Sequence, residues 1–247
     1  MKKQKNIIEA PFGETKVLLH TCCAPCSSAI IEALMNNGIT PVIYYCNPNI
    51  FPREEYEIRK DECTRYAEAL GLEIIDADYD HDNWLETMKG LEAEPERGGR
   101  CLKCFKLRLL RTAEYARDHG FKVIATTLAS SRWKSLDQIN EAGFWACDQV
   151  TNRYLSTETP VSVDNPHNSR HFSTETSVSV DNPHVSCRFS TETPVSVDKT
   201  NDGPVWWPYN WRKGGLQERR LQIIREYDFY NQQYCGCEFS MRKEGQG

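Results

Sequence analysis

Lys16-Val17-Leu18-Leu19-His20, running straight into Thr21-Cys22-Cys23-Ala24-Pro25-Cys26, is the stretch that decides the architecture. Its first five residues are of strand type, and the next six form a tight loop. Ser27 to Asn37 then places Ala29, Ile30, Ala33 and Leu34 at helical spacing, with Gly38 to end the helix. Working outward, Pro41–Tyr45 reads as a second buried strand, with Pro48 and Pro52 bracketing a turn. Arg53–Leu70 follows as a long charged helix, and Leu72–Asp76 as a third strand. His81–Leu91 is helical in pattern, Pro95–Arg100 a loop with two glycines, and Cys101–His119 a further helix. Lys122–Thr127 reads as a strand, Trp133–Trp145 as a helix, Val205–Tyr209 as a short strand and Leu216–Tyr230 as a last helix. Strands alternating with helices predict an α/β protein, a mostly parallel sheet covered on both faces in three layers. Ligands of such sheets sit at the carboxyl ends of the strands, which is where the Cys22–Cys26 loop falls.

The chain has 247 residues, 39% of them hydrophobic, and eleven cysteines. Met1 to Ala10 is basic and polar, without the apolar run of a signal peptide. No stretch approaches the roughly 18 consecutive apolar residues of a membrane span. The expectation is a cytoplasmic protein with no membrane association, in which clustered thiols are metal ligands or redox groups rather than disulfides. Cys46, Cys63 and Cys147 stand isolated in apolar surroundings and are expected in the core.

Residues 152–202 differ in kind. Ser156-Thr157-Glu158-Thr159-Pro160-Val161-Ser162-Val163-Asp164 recurs from Ser173 and again from Ser190, a spacing of 17 residues. Units so alike and so rich in Ser, Thr and Pro read as a tandem duplication within a loop, a disordered insertion rather than a solenoid. His167, His171, His184 and Cys187 lie inside it and are not taken as ligands. The expected organisation is one α/β domain made of residues 1–151 and 203–247, interrupted by this insert. The formal charge of −5 weighs against nucleic-acid binding. However, the insert holds four basic and seven acidic residues, a net −3, which leaves −2 for the rest.

Three cysteine clusters carry the chemistry. Cys22, Cys23 and Cys26 stand before a helix N-terminus, where unpaired N–H groups and the helix dipole favour thiolate. Cys101 and Cys104 open a helix at i and i+3, on one face, and Cys235 and Cys237 flank Gly236 in a tight turn. Alone, a CxxC pair is redox-active, zinc-binding or incidental. Together the three clusters offer seven thiolates, whereas zinc takes four ligands and a four-iron cluster is held by four cysteines. Adjacent cysteines diverge, so Cys22 and Cys23 are read as serving two centres side by side. A zinc site with spare thiols is the competing reading.

These residues resemble the QueH family of epoxyqueuosine reductases. The likeness runs through His20-Thr21-Cys22-Cys23-Ala24-Pro25-Cys26-Ser27, Asn47-Pro48-Asn49-Ile50 with Glu54-Glu55-Tyr56, and Asp78-Tyr79-Asp80. It continues through Gly99-Arg100-Cys101-Leu102-Lys103-Cys104 with Arg108-Leu109, Thr126-Thr127-Leu128, and Tyr234-Cys235-Gly236-Cys237-Glu238-Phe239-Ser240. The insert has no counterpart in the family pattern. The resemblance implies a Rossmann-like fold of the adenine-nucleotide-hydrolase kind, with cysteines where related enzymes carry a phosphate-binding loop. It also implies reduction of epoxyqueuosine to queuosine in tRNA, with a 4Fe-4S cluster beside a mononuclear iron. Cys22, Cys23, Cys101, Cys104, Cys235 and Cys237 are the expected cofactor ligands, and Cys26 a further metal ligand.

Epoxide removal takes two electrons and two protons. No flavin or nicotinamide fingerprint is present, so an external donor such as ferredoxin is expected. His20, Asp78 and Asp80 are candidates to orient or protonate. Arg100, Lys103, Arg108, Arg212 and Lys213 are candidates for tRNA phosphates, and Trp206, Trp207 and Trp211 for base stacking or core closure. An iron–sulfur tRNA thiolase is the rival enzyme reading, although no Gly-rich phosphate loop is visible. A zinc-binding RNA-binding module is the rival outside catalysis. Oligomeric state is not read from the sequence.

Overall fold

The apolar run after Lys16 forms strand β1 (Lys16–His20), buried from Val17 to His20. In this computed structural model the described residues are 7–157, 203–230, 232 and 234–241; the side chains of 152–157 fall outside them. All but the opening of the tandem repeats therefore lies outside the described residues.

After β1 come α1 (Ala24–Asn36), β2 (Thr40–Tyr45), α2 (Arg53–Ala69), β3 (Ile74–Asp76), α3 (His81–Met88) and α4 (Gly99–Asp118). The chain continues through β4 (Val123–Thr126), α5 (Leu136–Thr157), β5 (Val205–Trp206) and α6 (Leu216–Glu226). The five strands form one parallel sheet in the order β3-β2-β1-β4-β5. Near-continuous apolar strands require cover on both faces. One layer has α1 packed against α2 and α6; in the other α4 packs against α3 and α5. The α/β expectation is met, as a Rossmann-like three-layer arrangement.

Strand β1 pairs with β2 from Lys16–Thr40 to His20–Tyr44, and with β4 from Leu18–Ile124 to His20–Thr126. The chain leaves β1 toward β2 on one side and returns at β4 on the other. The carboxyl ends of β1 and β4 thus flank the crevice where open α/β sheets bind ligands.

Several boundaries differ from expectation for local reasons. Helix α1 starts at Ala24, before the expected Ser27, because proline is tolerated in a first helical turn where its missing N–H has no partner. Cys23 therefore becomes the N-cap, and Cys26 lies in the first turn. Helix α5 continues to Thr157, past the expected Trp145 and into the first residues assigned to the insert. Its buried face, Ile139, Ala142, Ala146 and Val150, keeps helical spacing throughout. Gly143 on that helix lies against the Trp206 indole, where a Cβ would come within 2.1 Å of the ring. Strand β5 stops at Trp206, two residues before Pro208, which has no N–H for a ladder.

The main core spans both sides of the sheet and includes Cys46, Cys63 and Cys147, as expected. A second small cluster joins Trp84 and Met88 to Cys104 and Cys237. It marks where the cysteine segments meet.

Candidate metal centre

Cys22 leaves the end of β1 and meets Thr127 at the end of β4. The Cys22 backbone N–H donates to Thr127 Oγ1 at 3.3 Å, and Cys22 Sγ lies 3.5 Å from the same oxygen. The chain then bends from strand into helix at Cys23, and this brings adjacent sulfurs together instead of apart. Cys22 Sγ and Cys23 Sγ are 3.8 Å apart, and with Cys26 Sγ all three lie within 4.8 Å of one another. The divergence expected of Cys22 and Cys23 is thus not seen. Two thiolates about 2.3 Å from one tetrahedral metal stand about 3.8 Å apart, so the donor set fits a metal ion. Hydrogen bonds from Cys23 and Cys26, with Lys134 and Thr127 adding to them, hold Cys22 well below the usual thiol range. Burial pushes Cys23 up, and the hydrogen bond to Cys22 pushes Cys26 up to about 12. This is one thiolate stabilised by two neighbouring thiols, the charge distribution that a cation would replace.

The other four thiols line one pocket, bounded also by Trp84, Arg97, Arg100 and Lys134. Cys101 and Cys104 sit in the first turns of α4. The Arg97 N–H, on a residue held at φ +67°, donates to Cys101 Sγ at 3.3 Å. The Trp84 indole N–H reaches Cys104 Sγ at 3.4 Å. Cys235 and Cys237 come from the far end of the chain and are docked on the turn after β2. Phe51 N–H donates to Gly236 O at 2.9 Å, and Ile50 pairs with Cys237 in an isolated bridge. Arg59 of α2 donates to Tyr234 O at 3.2 Å, and the Tyr234 hydroxyl donates to Phe51 O. A hydrogen bond from Cys237, then the charge of Lys134, hold Cys235 down at about 5, while the same pairing pushes Cys237 up. Burial raises Cys101.

Lys134 links the two groups. Burial works against its charge, but Cys235, then Cys22 and Cys26, more than offset that and raise its pKa. One ammonium therefore feels both cysteine groups.

A family model described as epoxyqueuosine reductase QueH matches residues 17–160 and 158–243. The chain belongs to the epoxyqueuosine reductase QueH family. The QueH protein of Histophilus somni is 39% identical over 235 residues, covering 95% of this chain and 76% of that protein. The QueH protein of Haemophilus influenzae is 39% identical over 235 residues, 95% of this chain and 75% of its own length. That of Acinetobacter baylyi is 37% identical over 242 residues, 98% of this chain and 88% of its own length.

Other residues singled out from the sequence take varied places in this QueH chain. His20 is fully buried. Its Nε2–H donates to Cys46 O at 3.1 Å, and its Nδ1 lies 2.7 Å from Thr126 Oγ1. Burial, then the charge of Arg108, lower its pKa to about 3, so the ring is neutral. Asp78 and Asp80 are exposed at the carboxyl edge after β3, and Asp80 accepts from Asn83 Nδ2 at 3.1 Å. Arg100, Arg108 and Arg212, candidates for phosphates, direct guanidinium donors at groups of their own chain. Arg100 bonds Glu92 O and Glu94 O, and Arg108 bonds Cys46 O and Asn47 Oδ1. Arg212 bonds Ala129 O, Ser131 O and Lys134 O. Lys103 and Lys213 are exposed. Trp206, Trp207 and Trp211 are 5%, 7% and 2% exposed and close the core, the second of the two roles expected of them.

Sequence reasoning missed Lys134, Thr127 as a partner of Cys22, Trp84 and Arg97. The signal for the first two was positional: both follow β4, whose carboxyl end borders the crevice. Trp84 carried no such signal, because its apolar spacing on α3 is that of an ordinary core residue.

Proposed function

We propose that this chain reduces epoxyqueuosine in tRNA to queuosine. The carrying observation is that cysteines from three distant segments converge in two groups, three within 4.8 Å of one another and four lining one pocket with Lys134. Cys101, Cys104, Cys235 and Cys237 supply the four thiolates that a 4Fe-4S cluster needs. Cys22, Cys23 and Cys26 supply three, the number that leaves a position of a mononuclear iron open to substrate. Bound there, such an iron would supply Lewis acidity toward an epoxide oxygen, and such a cluster would pass single electrons from a donor of the ferredoxin kind.

The chain's own residues prepare the site. The N–H groups of Arg97 and Trp84 point at cluster-side sulfurs, fixing their orientation. Thr127 fixes Cys22 from the neighbouring strand end. Neutral His20, between Thr126 and Cys46, positions the ends of β1, β2 and β4. Lys134 balances thiolate charge at the junction. The reaction converts the epoxide, two electrons and two protons to an alkene and water, and Asp78 and Asp80, exposed after β3 and outside the lining of the thiol pocket, are the candidates to supply or orient protons. The remaining RNA candidates, Lys103 and Lys213, are exposed and are the ones proposed to meet phosphate. The seat of the enzyme is the cytoplasm, where tRNA and reductant are available.

The test is anaerobic purification followed by iron, zinc and sulfide analysis and a reduction assay on tRNA carrying epoxyqueuosine. About five irons and four sulfides per chain are expected, with loss of one oxygen from the modified nucleoside. Stoichiometric zinc without sulfide, and no change in the nucleoside, would overturn the proposal.

A further inference from the structure

Trp133 is 72% exposed, whereas Trp84, Trp206, Trp207 and Trp211 are buried and Trp145 is half-buried. A single exposed aromatic is ordinary on a protein surface; the loop that carries this one is not. Four consecutive carbonyls, those of Ser131, Arg132, Trp133 and Lys134, each accept a hydrogen bond from an arginine of a distant segment. Arg97 Nε and Nη2 donate to Trp133 O and Arg132 O, both at 2.9 Å. Arg212 Nη2 donates to Ser131 O at 2.6 Å and Lys134 O at 2.8 Å. The Trp133 N–H is taken by Ser131 Oγ at 3.3 Å. The backbone is pinned from both sides while the indole stands in solvent.

The position of that indole matters as much as its rigidity. Trp133 forms part of the wall of the thiol-lined cavity. It also borders a second, polar pocket, lined by Cys26, Ser130, Ser131, Arg132, Gln217 and Arg220. Trp133 thus lines both a pocket carrying four of the thiols and one carrying Cys26, hydroxyls and two guanidinium groups. The exposed Arg132 side chain makes no hydrogen bond or ion pair among the described residues. Single-stranded RNA presents the matching chemistry, a flat base beside a phosphate, and such bases stack on aromatic side chains.

We propose that Trp133 is a stacking platform for an unpaired RNA base next to the modified nucleoside, with Arg132 meeting the adjoining phosphate. This rests on the reading of the chain as a tRNA-acting reductase, and it makes Trp133 a specificity-determining residue of that site. Arg97 acts as a positioning residue, since it holds both the Cys101 thiol, through its N–H, and the Trp133 loop, through its guanidinium.

The test uses anaerobically purified holoenzyme and a fluorescein-labelled anticodon stem-loop RNA with an unmodified target base, read by anisotropy. Base–aromatic stacking is worth about 1–3 kcal/mol per base. Trp133→Ala is therefore expected to weaken binding roughly 5- to 150-fold, and Trp133→Phe to retain most of it. Iron and sulfide content and melting temperature should stay at wild-type values. Affinity of Trp133→Ala within twofold of wild type would overturn the proposal, as would absence of RNA binding by the wild type. Reduction assays on the same preparations separate the two ideas. A wild type that binds RNA through Trp133 but reduces no epoxyqueuosine sinks the reductase reading alone. An active wild type matched in KM by Trp133→Ala sinks the stacking proposal alone.

Discussion

Between Cys235 and Cys237 the chain must turn so that both thiols face the cavity, and Gly236 supplies that turn at φ +97°. A side chain there would be strained by the backbone and would meet Ile50 Cγ1 at 2.8 Å and Arg59 Nη1 at 3.0 Å. Gly236→Ala is expected to cost about 1–3 kcal/mol, read as a lower urea midpoint. Iron content should fall with it, because the two flanking thiols lose their shared orientation. Full iron occupancy in a stably folded Gly236→Ala protein would show that the turn tolerates a side chain. Lys134 illustrates the other residue-scale lesson. Its charge became meaningful only once the fold had placed thiols from two distant segments around it.

Helix α2 anchors the last cysteine segment. Its buried Arg59 pairs with Glu55 at 2.6 Å and donates to Tyr234 O, while Tyr230 donates to the other Glu55 oxygen at 2.9 Å. Removing one partner of a buried pair leaves the other uncompensated, at a cost of about 3–5 kcal/mol. Arg59→Met is expected to fall in that range in urea unfolding and to lose the metal proposed for Cys235 and Cys237. The double variant Glu55→Gln/Arg59→Met should recover part of the stability, because no unpaired charge remains. Equal loss in the single and double variants would mean that the pair matters for packing alone. The helix was legible in the sequence; its role as a dock for residues some 175 positions away was not.

Across the whole molecule, the chain that resumes at Gly203 passes beside α5 at Thr151. Gly203 lies so close to Thr151 that a Cβ on it would come within 2.2 Å of Thr151 Oγ1. Joining Thr151 to Gly203 through a short Gly-Ser linker in place of residues 152–202 therefore needs no rearrangement of the sheet. Shortening the loop about eightfold removes closure entropy worth about 2 kcal/mol. The excised protein is expected to unfold cooperatively at a midpoint no lower than the parent's, with its iron content intact. A lower midpoint or lost metal would show that the segment contributes to the domain.

The sequence by itself determined the α/β class and the parallel strands, and it singled out the three cysteine clusters as candidates. Apolar periodicity and clustered thiols are local patterns, and QueH membership followed from the motifs in series. Local readings also erred by local amounts. Pro25 drew α1 back over Cys26, and an apolar face that continues to Val150 carried α5 past Trp145. Tertiary structure alone decided which thiols share a site, that Arg100, Arg108 and Arg212 bond their own chain, and that Trp133 rather than Trp206 or Trp207 faces solvent. Those outcomes depend on hydrogen bonds and burial between segments far apart in sequence, and no periodicity within one segment encodes the distance to another.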